Sequence, residues 1–384
     1  MEVAIAGVGE VPQGRLSPLT PMMLHERLAR LALDDAGIAL GDVDALLTLS
    51  PRADPYLIHA AALAEHLRIR PAVAFTLEVG GASPAAMVDY ASMMIKCGTA
   101  KTVLIVSADM PLSVVSRNSY VQTLAEAGPV HPDLERPFGP SVPSMFGMVA
   151  RRYMFQYGAT EEDLAAAALH DRKAAALHPN AHYRAPLDFD QYRASTWIAE
   201  PLRLLDCSPV SDGGGAVVVT SLERARERAR PAVKVLGAGF SMGHLHLSAA
   251  HDLTSFSAGE ALDRALSVAT LTRSDIDVAL VYDCFSIALL INLEDLGFAQ
   301  KGKAGSAFRD GSFSLGGKLP VNTHGGLLSH GYPGRAASIG NLIEAVVQIR
   351  GQAGARQVRD AQVALVHGMG GVFATHGVLL LGKS

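Results

Sequence analysis

The stretch from Leu319 to Asn341 concentrates residues that could do chemistry. It reads L-P-V-N-T-H-G-G-L-L-S-H-G-Y-P-G-R-A-A-S-I-G-N and carries His324, His330 and Tyr332 in a glycine-rich turn. Glycines let a backbone approach a ligand closely and leave amide groups free to bind developing negative charge. Pro333 then occupies the first-turn position of a predicted helix of small residues. We therefore expect polar side chains between a strand end and a helix start, although solvated histidines in a tight connection would give the same pattern.

Two further turns in this half of the chain carry polar side chains just past a strand. Tyr282 follows the apolar run 278–281, and His367 opens the turn H-G-M-G-G, which contains Gly370. Open α/β sheets bind ligands at the carboxyl ends of their strands. A tyrosine at such a place can also be a core residue whose hydroxyl is satisfied. Three such turns together favour a convergent site.

The elements before these turns follow the order of parallel α/β layering, in which buried strands alternate with amphipathic helices. The predicted strands of the first half are Val3–Val8, Val43–Leu49, Ala72–Leu77, Thr102–Ser107 and Ala216–Thr220. The predicted helices are Pro21–Gly37, 57–66, one that ends at Lys96, Met145–Tyr157, Glu161–Leu177 and Leu222–Arg230. The turn-rich segment of about residues 111–205 is predicted to be an insertion that covers a site.

The same order begins again at Pro231. Predicted strands at Val233–Leu236, Val278–Tyr282, Gln362–Val366 and Thr375–Leu381 alternate with helices at 258–269, 287–296 and up to Arg350. The sequence Gly237-Ala238-Gly239 closes a strand as Gly7-Val8-Gly9 does, and the turn at Gly80-Gly81 corresponds to that at Gly325-Gly326. This pattern predicts an internal duplication, with an N-terminal half over residues 1–230 and a C-terminal half over residues 231–384.

Composition excludes several classes of protein. The chain is 49% hydrophobic and 18% charged, as expected of a well-buried enzyme-like protein. A formal charge of -4 without a basic stripe argues against nucleic acid as the main partner. Cys97, Cys207 and Cys284 form no C-x-x-C pair, so we expect no disulfide framework or structural zinc and a reducing cytoplasm as the compartment. We expect neither a signal peptide nor a membrane span.

Two patterns suggest a cofactor but are incomplete. The sequence from Gly237 to Gly243 resembles a dinucleotide fingerprint, but its third glycine is one place late and no amphipathic helix follows. His244, His246 and His251 could ligate a metal in an extended segment, but no carboxylate or cysteine at a typical spacing completes the set. We therefore expect no cofactor and no metal ion.

Over nearly its whole length the chain resembles the thiolase superfamily. The order Y-D-C-F, N-T-H-G-G-L-L-S-H-G-Y-P-G and H-G-M-G-G falls where that fold places its active-site loops. The segments Tyr157–Leu164, His178–Leu187 and Pro209–Ala216 are similar to the sterol-carrier or lipid-transfer branch. The resemblance implies an α/β protein with a duplicated five-layer α-β-α-β-α fold and the insertion in its first half.

The departures from the family decide which function the resemblance implies. A thiolase needs a nucleophilic cysteine in its first glycine turn, where this chain has Gly81, and the second family cysteine corresponds to His367. The asparagine of the N-E-A-F motif becomes Tyr282, and the histidine of the G-H-P motif becomes Tyr332. This pairing resembles the thiolase-like aldolases of bacterial steroid side-chain degradation. Those enzymes lack the nucleophile, use two tyrosines as acid and base, and work with a small partner that bears a zinc ribbon and an OB-fold.

The favoured hypothesis is a retro-aldol lyase that cleaves a 3-hydroxyacyl-CoA to a ketone or aldehyde and a shorter acyl-CoA. Tyr332 would be the base, because a helix starting at Pro333 would favour its phenolate, and Tyr282 would be the acid, although the two roles could be exchanged. Substrate binding and the oxyanion site would fall to His324, His367 and Gly370.

Two alternatives remain open at this point: an acyl-CoA acyltransferase with an unusual nucleophile such as Ser83, and a non-catalytic acyl-CoA-binding subunit. In each case the coenzyme A thioester would be the ligand. We further expect a homodimer formed through the edge strand Ala72–Leu77, with a small OB-fold and zinc-ribbon protein as a second partner.

Overall fold

The computed structural model describes residues 1–116, 119, 130–228 and 230–384. The strands are β1 (Val3–Glu10), β2 (Ala45–Thr48), β3 (Val73–Thr76), β4 (Thr102–Asp109), β5 (Trp197–Ala199), β6 (Leu202–Arg203), β7 (Gly213–Ser221), β8 (Val233–Met242), β9 (Val278–Leu280), β10 (Val363–Gly370) and β11 (Thr375–Lys383). The helices are α1 (Pro21–Ala36), α2 (His59–His66), α3 (Ser83–Lys96), α4 (Pro111–Val114), α5 (Val142–Tyr157), α6 (Glu161–Ala175), α7 (Phe189–Ala194), α8 (Leu222–Arg226), α9 (Ala258–Ala269), α10 (Ser286–Asp295), α11 (Ala304–Arg309) and α12 (Ile339–Ile349).

The main sheet joins the two halves of the chain. Its strand order is β3-β2-β4-β7-β1-β8-β11-β10-β9, and β5 and β6 form a separate pair. The first five strands belong to the N-terminal half and the last four to the C-terminal half. The junction is short, because β1 and β8 pair at Ala4 with Lys234 and at Ile5 with Val233. In both halves the outer strands run parallel, and antiparallel strands follow towards the junction.

Three hydrophobic cores divide the molecule into layers. One core packs α1 and α2 against the strands of the N-terminal half, and another packs α5, α9 and α10 against those of the C-terminal half. The middle core contains α3 and α12 together with strand residues of both halves. Helices therefore cover both outer faces and fill the centre, which is the predicted α-β-α-β-α order.

Glycine pairs let one helix in each half lie unusually close to its strand. A side-chain carbon at Gly9 would lie 2.7 Å from the backbone of Leu28 and Ala32 in α1. In the second half, a side-chain carbon at Gly237 would lie 2.6 Å from the carbonyl oxygen of Ala265 in α9. The G-A-G sequence that resembled a dinucleotide fingerprint is therefore part of β8, paired with β11 and packed against a helix.

Several predicted boundaries are wrong. The strands expected to end at Leu236 and Val366 continue to Met242 and Gly370, because both segments pair with β11, so His367 lies within β10 and not in a turn after it. The helix expected at Pro333 begins only at Ile339, because Pro333 has a ψ of 66° and Gly334 has a φ of 53°, neither of which continues an α-helix. The strand expected to reach Tyr282 ends at Leu280. The helix from Leu222 ends at Arg226, four residues before its predicted end.

The remaining expectations about organisation stay predictions. The proposed insertion of residues 111–205 includes residues 117, 118 and 120–129, which lie outside the described residues. In its described part, α6 packs against α10, α11 and the turn that follows Gly325. Among the described residues, no helix has the length and hydropathy needed to span a membrane.

Candidate active site

The hydroxyl groups of Tyr282 and Tyr332 face each other. Tyr282 donates a hydrogen bond to Tyr332 with an oxygen–oxygen distance of 3.4 Å. The ring of Tyr282 is buried, whereas Tyr332 keeps part of its surface exposed. Hydroxyl pairs usually lie 2.7–2.8 Å apart, so this contact is long and leaves both oxygens able to bind a third group.

The two phenols differ in acidity. Burial raises the pKa of Tyr282 well above its ordinary value, and the nearby Tyr332 and Cys284 add to this effect. Burial also raises the pKa of Tyr332, but the hydrogen bond from Tyr282 and the positive charge of Arg52 lower it in part. Tyr332 is therefore the phenol that ionises more readily. The expected helix start at Pro333 is not the reason, because α12 begins at Ile339.

Three side chains hold the backbone of Tyr282 and of the residue before it. Its N–H donates to Nδ1 of His367 at 3.4 Å, and its carbonyl accepts from Nδ2 of Asn292 at 3.0 Å. Asn322 binds the neighbouring Val281 in both directions, at 2.7 Å to the N–H and 3.0 Å to the carbonyl. These amide contacts replace strand pairing, which explains why β9 ends at Leu280.

His367 belongs to a chain of hydrogen bonds in which each tautomer is determined. Nε2 of His376 lies 3.2 Å from the carbonyl oxygen of Phe373, so this nitrogen is the donor and Nδ1 is an acceptor. Nε2 of His367 then donates to that acceptor at 3.1 Å, which leaves Nδ1 of His367 to accept the N–H of Tyr282. Burial lowers the pKa of both rings, to about 4 for His376. His367 is thus a neutral support for Tyr282 and has both nitrogens occupied.

Tyr332 is held by the segment that closes the first half. Its N–H donates to Oγ of Ser211 at 2.7 Å, and its carbonyl accepts the N–H of Ser211 at 3.2 Å. Val210 and Tyr332 also form an isolated parallel bridge. The motif P-V-S-D-G-G-G-A therefore contributes directly to the site, although its sequence pointed only to a family branch.

The first glycine turn lies against Tyr282. A side-chain carbon at Gly81 would overlap the Tyr282 ring and the carbonyl oxygen of Met369. One at Gly370 would lie 2.5 Å from the carbonyl oxygen of Val79, so the first and last glycine turns touch. The tyrosine thus occupies the space into which a residue at position 81 would project. Gly370 is placed at this contact, and its role in binding an oxyanion stays a prediction.

Ser83, the alternative nucleophile, is fully buried and engaged within its own turn. Its Oγ donates to the carbonyl of Gly80 at 2.7 Å and accepts the N–H of Val79 at 2.7 Å. These bonds shape the turn at the start of α3. Both partners of the hydroxyl are backbone groups, and neither is a general base.

His324 lies in a buried histidine cluster. Its ring centroid is 4.9 Å from that of His330 and 6.5 Å from that of His178, and its Nε2 donates to Oδ1 of Asn341 at 3.2 Å. Nδ1 of His324 is buried and has no hydrogen-bond partner among the described residues. The contacts of His324 are thus with this cluster, and its expected role in substrate binding stays a prediction.

Among the described residues, Glu10, His178 and His330 are the one group that could hold a metal ion, with ligand atoms within 4.8 Å of one another. The N–H of Asn180 donates to Nδ1 of His178 at 3.1 Å, so the proton of the neutral ring is on Nε2. That nitrogen lies 3.8 Å from Glu10 and 3.9 Å from Glu344. A metal at Nε2 would require the opposite tautomer, so the group fits an ion-pair cluster better than a metal site.

Glu10 is the anion of this cluster. Burial alone would raise its pKa, but the ion pair with His330 and the hydrogen bond from Asn180 outweigh burial and lower it to about 2. Nε2 of His330 is 3.0 Å from Glu10, and Nδ2 of Asn180 is 2.8 Å away. The carboxylate thereby stabilises the turn that leads to Tyr332.

Most residues that position the tyrosines carry no recognisable signal in the sequence. They include isolated polar residues inside apolar segments, but such residues are also common in ordinary structural roles. These positions are Glu10, Asp171, Ser211, Asp283, Asn292, Asn322 and His376.

Comparisons with known proteins agree with this geometry. The profile of the thiolase C-terminal domain-like family matches residues 239–383. The chain is 32% identical over 386 residues to an acetyl-CoA acetyltransferase of Methanothermobacter thermautotrophicus, and the match covers 100% of both chains. It is 35% identical over 362 residues to the 17-hydroxy-3-oxo-4-pregnene-20-carboxyl-CoA lyase of Mycobacterium tuberculosis, covering 91% of this chain and 92% of the relative. The chain belongs to the thiolase superfamily.

The similarity extends to three dimensions. The solved structure of an Ltp2-ChsH2(DUF35) aldolase superposes with a TM-score of 0.87 and 32% sequence identity, and the match covers 100% of this chain and 98% of that chain. The predicted thiolase-like fold and the resemblance to thiolase-like aldolases are therefore confirmed. The relatives bear the names of an acetyltransferase, a lyase and an aldolase.

The overlap at Gly81 leads to a test of the thiolase comparison. Gly81→Cys should restore a thiol at the family position but displace Tyr282, and we expect overpacking to lower the free energy of unfolding by about 1–3 kcal/mol. Gly316→Cys is the matched control, because a side-chain carbon at that exposed position meets nothing within 4 Å. Urea unfolding and a crystal structure of the variant provide the measurements. Equal stability of the two variants with Tyr282 unmoved would contradict the steric argument.

The Glu10 cluster predicts a pH-dependent stability. A carboxylate with a lowered folded pKa stabilises the fold above its unfolded pKa of 4.5, and this contribution is lost as the pH falls towards about 2. Glu10→Gln should thus lower the free energy of unfolding by about 2–3 kcal/mol at pH 7 and by clearly less at pH 3. Urea unfolding at both pH values measures this, with the exposed Glu65→Gln as control. The same loss at both pH values would show that the charge of Glu10 is not responsible.

Proposed function

We propose that this protein is a retro-aldol lyase of the thiolase superfamily that cleaves a 3-hydroxyacyl-CoA to a ketone or aldehyde and a shorter acyl-CoA. The observation that carries the proposal is the hydroxyl pair of Tyr282 and Tyr332, with the Tyr282 ring in the space next to Gly81. Acyl transfer needs a nucleophile to capture the acyl fragment. Retro-aldol cleavage needs only a base and an acid.

The proposed reaction uses each phenol once. The phenolate of Tyr332 removes the proton of the 3-hydroxyl group, the carbonyl forms at C3, and the C2–C3 bond breaks. Its electron pair moves into the thioester to form an enolate. Tyr282 then protonates C2, which yields the shorter acyl-CoA, and proton transfer from Tyr332 to Tyr282 restores the pair. The directed hydrogen bond from Tyr282 and the charge of Arg52 both favour the phenolate of Tyr332.

The acyltransferase alternative receives no support from Ser83, because both hydrogen bonds of its hydroxyl lie within the turn. The binding-subunit alternative would leave the paired hydroxyls without a purpose, and it becomes an outcome of the test below. We propose no cofactor and no metal for the reaction, with the coenzyme A thioester as the substrate. In the Glu10 cluster, the proton on Nε2 of His178 supports the proposal that no metal ion binds there.

The class of substrate that we propose is that named for a relative. The name of the lyase of Mycobacterium tuberculosis gives a pregnene carboxyl-CoA, so we propose a thioester with a bulky, steroid-like acyl chain for this protein. We also propose His324 and Gly370 as groups near the thioester, and His367 as support for Tyr282. A reducing cytoplasm is proposed because the three cysteines are free.

The proposed assembly is a homodimer with a second, small subunit. Within the described residues, β3 pairs with β2 and has no strand on its other edge, and Phe75 in β3 is 49% exposed. An apolar open edge favours pairing with another copy. The second subunit is proposed by similarity to the structure of the Ltp2-ChsH2 aldolase. An OB-fold and zinc-ribbon protein is the partner we propose.

The tyrosine mechanism is tested by removing one hydroxyl at a time. Tyr282→Phe and Tyr332→Phe should each lower kcat by about a hundredfold or more, the scale of a lost general acid or base. In the wild type, kcat/KM should rise from neutral to moderately alkaline pH because the phenolate fraction of Tyr332 grows. Release of the shorter acyl-CoA from a steroid-like 3-hydroxyacyl-CoA is the measurement, with the partner subunit present.

Tyr90→Phe serves as the control, since its ring packs against Phe75 in the sheet layer. If both site variants cleaved at the rate of this control, the lyase mechanism would be wrong. Tight binding of the thioester by a wild type that shows no cleavage would favour the binding-subunit function.

The dimer is tested at its proposed edge. The wild type should have the mass of two chains in light scattering at micromolar concentration, and Phe75→Glu should give a single-chain mass because a charge would be buried against its copy. Phe155→Glu is the control, since Phe155 is also exposed but lies on α5. A single-chain mass for the wild type would exclude the homodimer.

A further inference from the structure

Two buried carboxyl groups face each other behind the tyrosines. Asp171 in α6 and Asp283, directly after Tyr282, are both fully buried. A side-chain carbon at Gly326 would lie 2.8 Å from Oδ2 of Asp171 and would overlap Oδ2 of Asp283, so both groups meet at this residue. Asn322, which holds Val281, also interacts with Asp171. The pair therefore lies at the junction of the segments that carry Tyr282 and Tyr332.

Asp283 connects the two tyrosine-bearing segments. Its Oδ1 accepts the N–H of Leu327 at 2.8 Å, and its Oδ2 accepts that of Leu328 at 3.0 Å. These residues belong to the π-helical turn Gly326–His330, which leads to Tyr332. One side chain thus ties the residue after Tyr282 to the turn before Tyr332.

The other side of this turn is held mainly by polar contacts. Nε of Arg172 donates to Oγ of Ser329 at 3.0 Å, and the backbone N–H groups of His182 and Tyr183 donate to His330 and Ser329 at 2.8 and 2.9 Å. Asp283 provides the corresponding contacts from the side of Tyr282. Its orientation therefore affects where the turn places Tyr332.

The contact between the carboxyl groups requires a proton. Both carboxyl oxygens of Asp171 are buried, and neither accepts a hydrogen bond from an N–H or O–H donor among the described residues. An ionised Asp171 beside Asp283 would be a buried charge next to a like charge, so one of the two groups must be an acid that donates to the other. Burial raises the pKa of Asp283 to about 6, while its hydrogen bonds with Asp171, Leu327 and Leu328 oppose the rise. Burial and the neighbouring Asp283 raise the pKa of Asp171 well above its ordinary value. At neutral pH, Asp171 is therefore the acid and Asp283 the carboxylate that accepts both backbone N–H groups.

We propose that Asp171 is a positioning residue which, as a neutral acid, donates a hydrogen bond to Asp283 and so fixes the turn 326–330 and the hydroxyl of Tyr332 against Tyr282. The kcat measurements that test this proposal rest on the proposed lyase function. Two other titratable groups interact with the pair: Tyr282 and Cys284, on either side of Asp283. His170 and Arg172 flank Asp171 in α6, where they bond to Val321 and Ser329, and His330 ends the turn.

Loss of the Asp171 proton would place two charges in the buried contact. We expect the turn to move and kcat to fall as the pH rises through the raised pKa of Asp171. Asparagine has the shape of aspartic acid and donates an N–H that does not ionise. Asp171→Asn should therefore retain kcat within about threefold at pH 7 and keep it at least one pH unit further into the alkaline range, since its hydrogen bond survives.

Removing the donor gives the opposite result. Asp171→Leu has nearly the same shape but cannot hydrogen-bond, and kcat should fall by about tenfold or more, because a displacement of about 1 Å at a reacting group can cost a hundredfold. The KM for the thioester should stay within about threefold, since Asp171 does not face it. Glu294→Gln is the control: it is another buried carboxyl, bonded to Tyr153 and to the start of α11. It should leave the pH profile unchanged.

A second measurement does not depend on catalysis. The unfolded chain loses the Asp171 proton near its ordinary pKa of 3.8, whereas the folded protein keeps it to higher pH. The free energy of unfolding of the wild type therefore falls as the pH rises from 3.8 towards the raised folded pKa. Asp171→Asn lacks this loss. Its urea midpoint should therefore rise relative to that of the wild type between pH 4 and pH 8.

The outcomes separate the two proposals. A wild type that cleaves no 3-hydroxyacyl-CoA would remove the lyase function, while the urea midpoints would still test the carboxyl pair. A midpoint difference that does not change with pH would overturn the proposal for Asp171. The proposal would also be overturned if kcat of Asp171→Asn fell at the same alkaline pH as that of the wild type, or if Asp171→Leu folded and kept the wild-type kcat. If Asp171→Leu did not fold, the comparison of Asp171→Asn with the wild type would still decide.

Discussion

Close packing between Gly81 and the ring of Tyr282 is the constraint on which the active site depends. A side chain at position 81 and the phenol of Tyr282 cannot share the same space. In a thiolase-like protein the first glycine turn carries the nucleophile, so the presence of the tyrosine and the loss of the nucleophile are linked sterically. The space next to Gly81 can hold the ring of Tyr282 because position 81 carries no side chain.

The site also shows how irregular backbone can be held firmly inside a protein. Tyr282 and Tyr332 lie beyond the ends of regular elements, where backbone groups lack strand or helix partners. Side chains supply those partners: Asn292 and His367 for Tyr282, and Ser211 for Tyr332. Unsatisfied polar groups are costly in a buried environment, so each of these contacts restricts the position of a phenol. The neutral tautomers of the histidine pair follow from the same requirement.

The architecture places these loops together through its layered arrangement. The middle core packs α3, which follows the first glycine turn, and α12, which follows the Tyr332 loop, between strands of both halves. Close helix–strand contacts at Gly9 and Gly237 occur in both halves. The two halves thus present their strand ends to a common centre, where Gly81, Tyr282 and Gly370 meet.

The sequence by itself determined the alternation of strands and helices, the α/β class, the family and the turns that carry the two tyrosines. These features depend on periodicity, glycine placement and short motifs, which are local in the chain. It also placed Gly81 where the family resemblance expects a nucleophile, an assignment that stays a prediction. It did not determine the start of α12, because the backbone conformation of Gly334 delays the helix. It did not determine the end of β9 either, because Asn322 binds Val281 from 41 residues away.

Only the tertiary structure decided which polar residues support the site. Asp171 and Asp283 are more than a hundred residues apart, as are Ser211 and Tyr332, and no pattern along the chain relates them. The protonation states were equally inaccessible, because burial and hydrogen-bond partners determine the pKa of a phenol or a carboxyl group. Tyr332 was expected to be the more acidic phenol because of a helix that starts elsewhere. The fold makes it so through the hydrogen bond from Tyr282 and the charge of Arg52, which are contacts between segments brought together by packing.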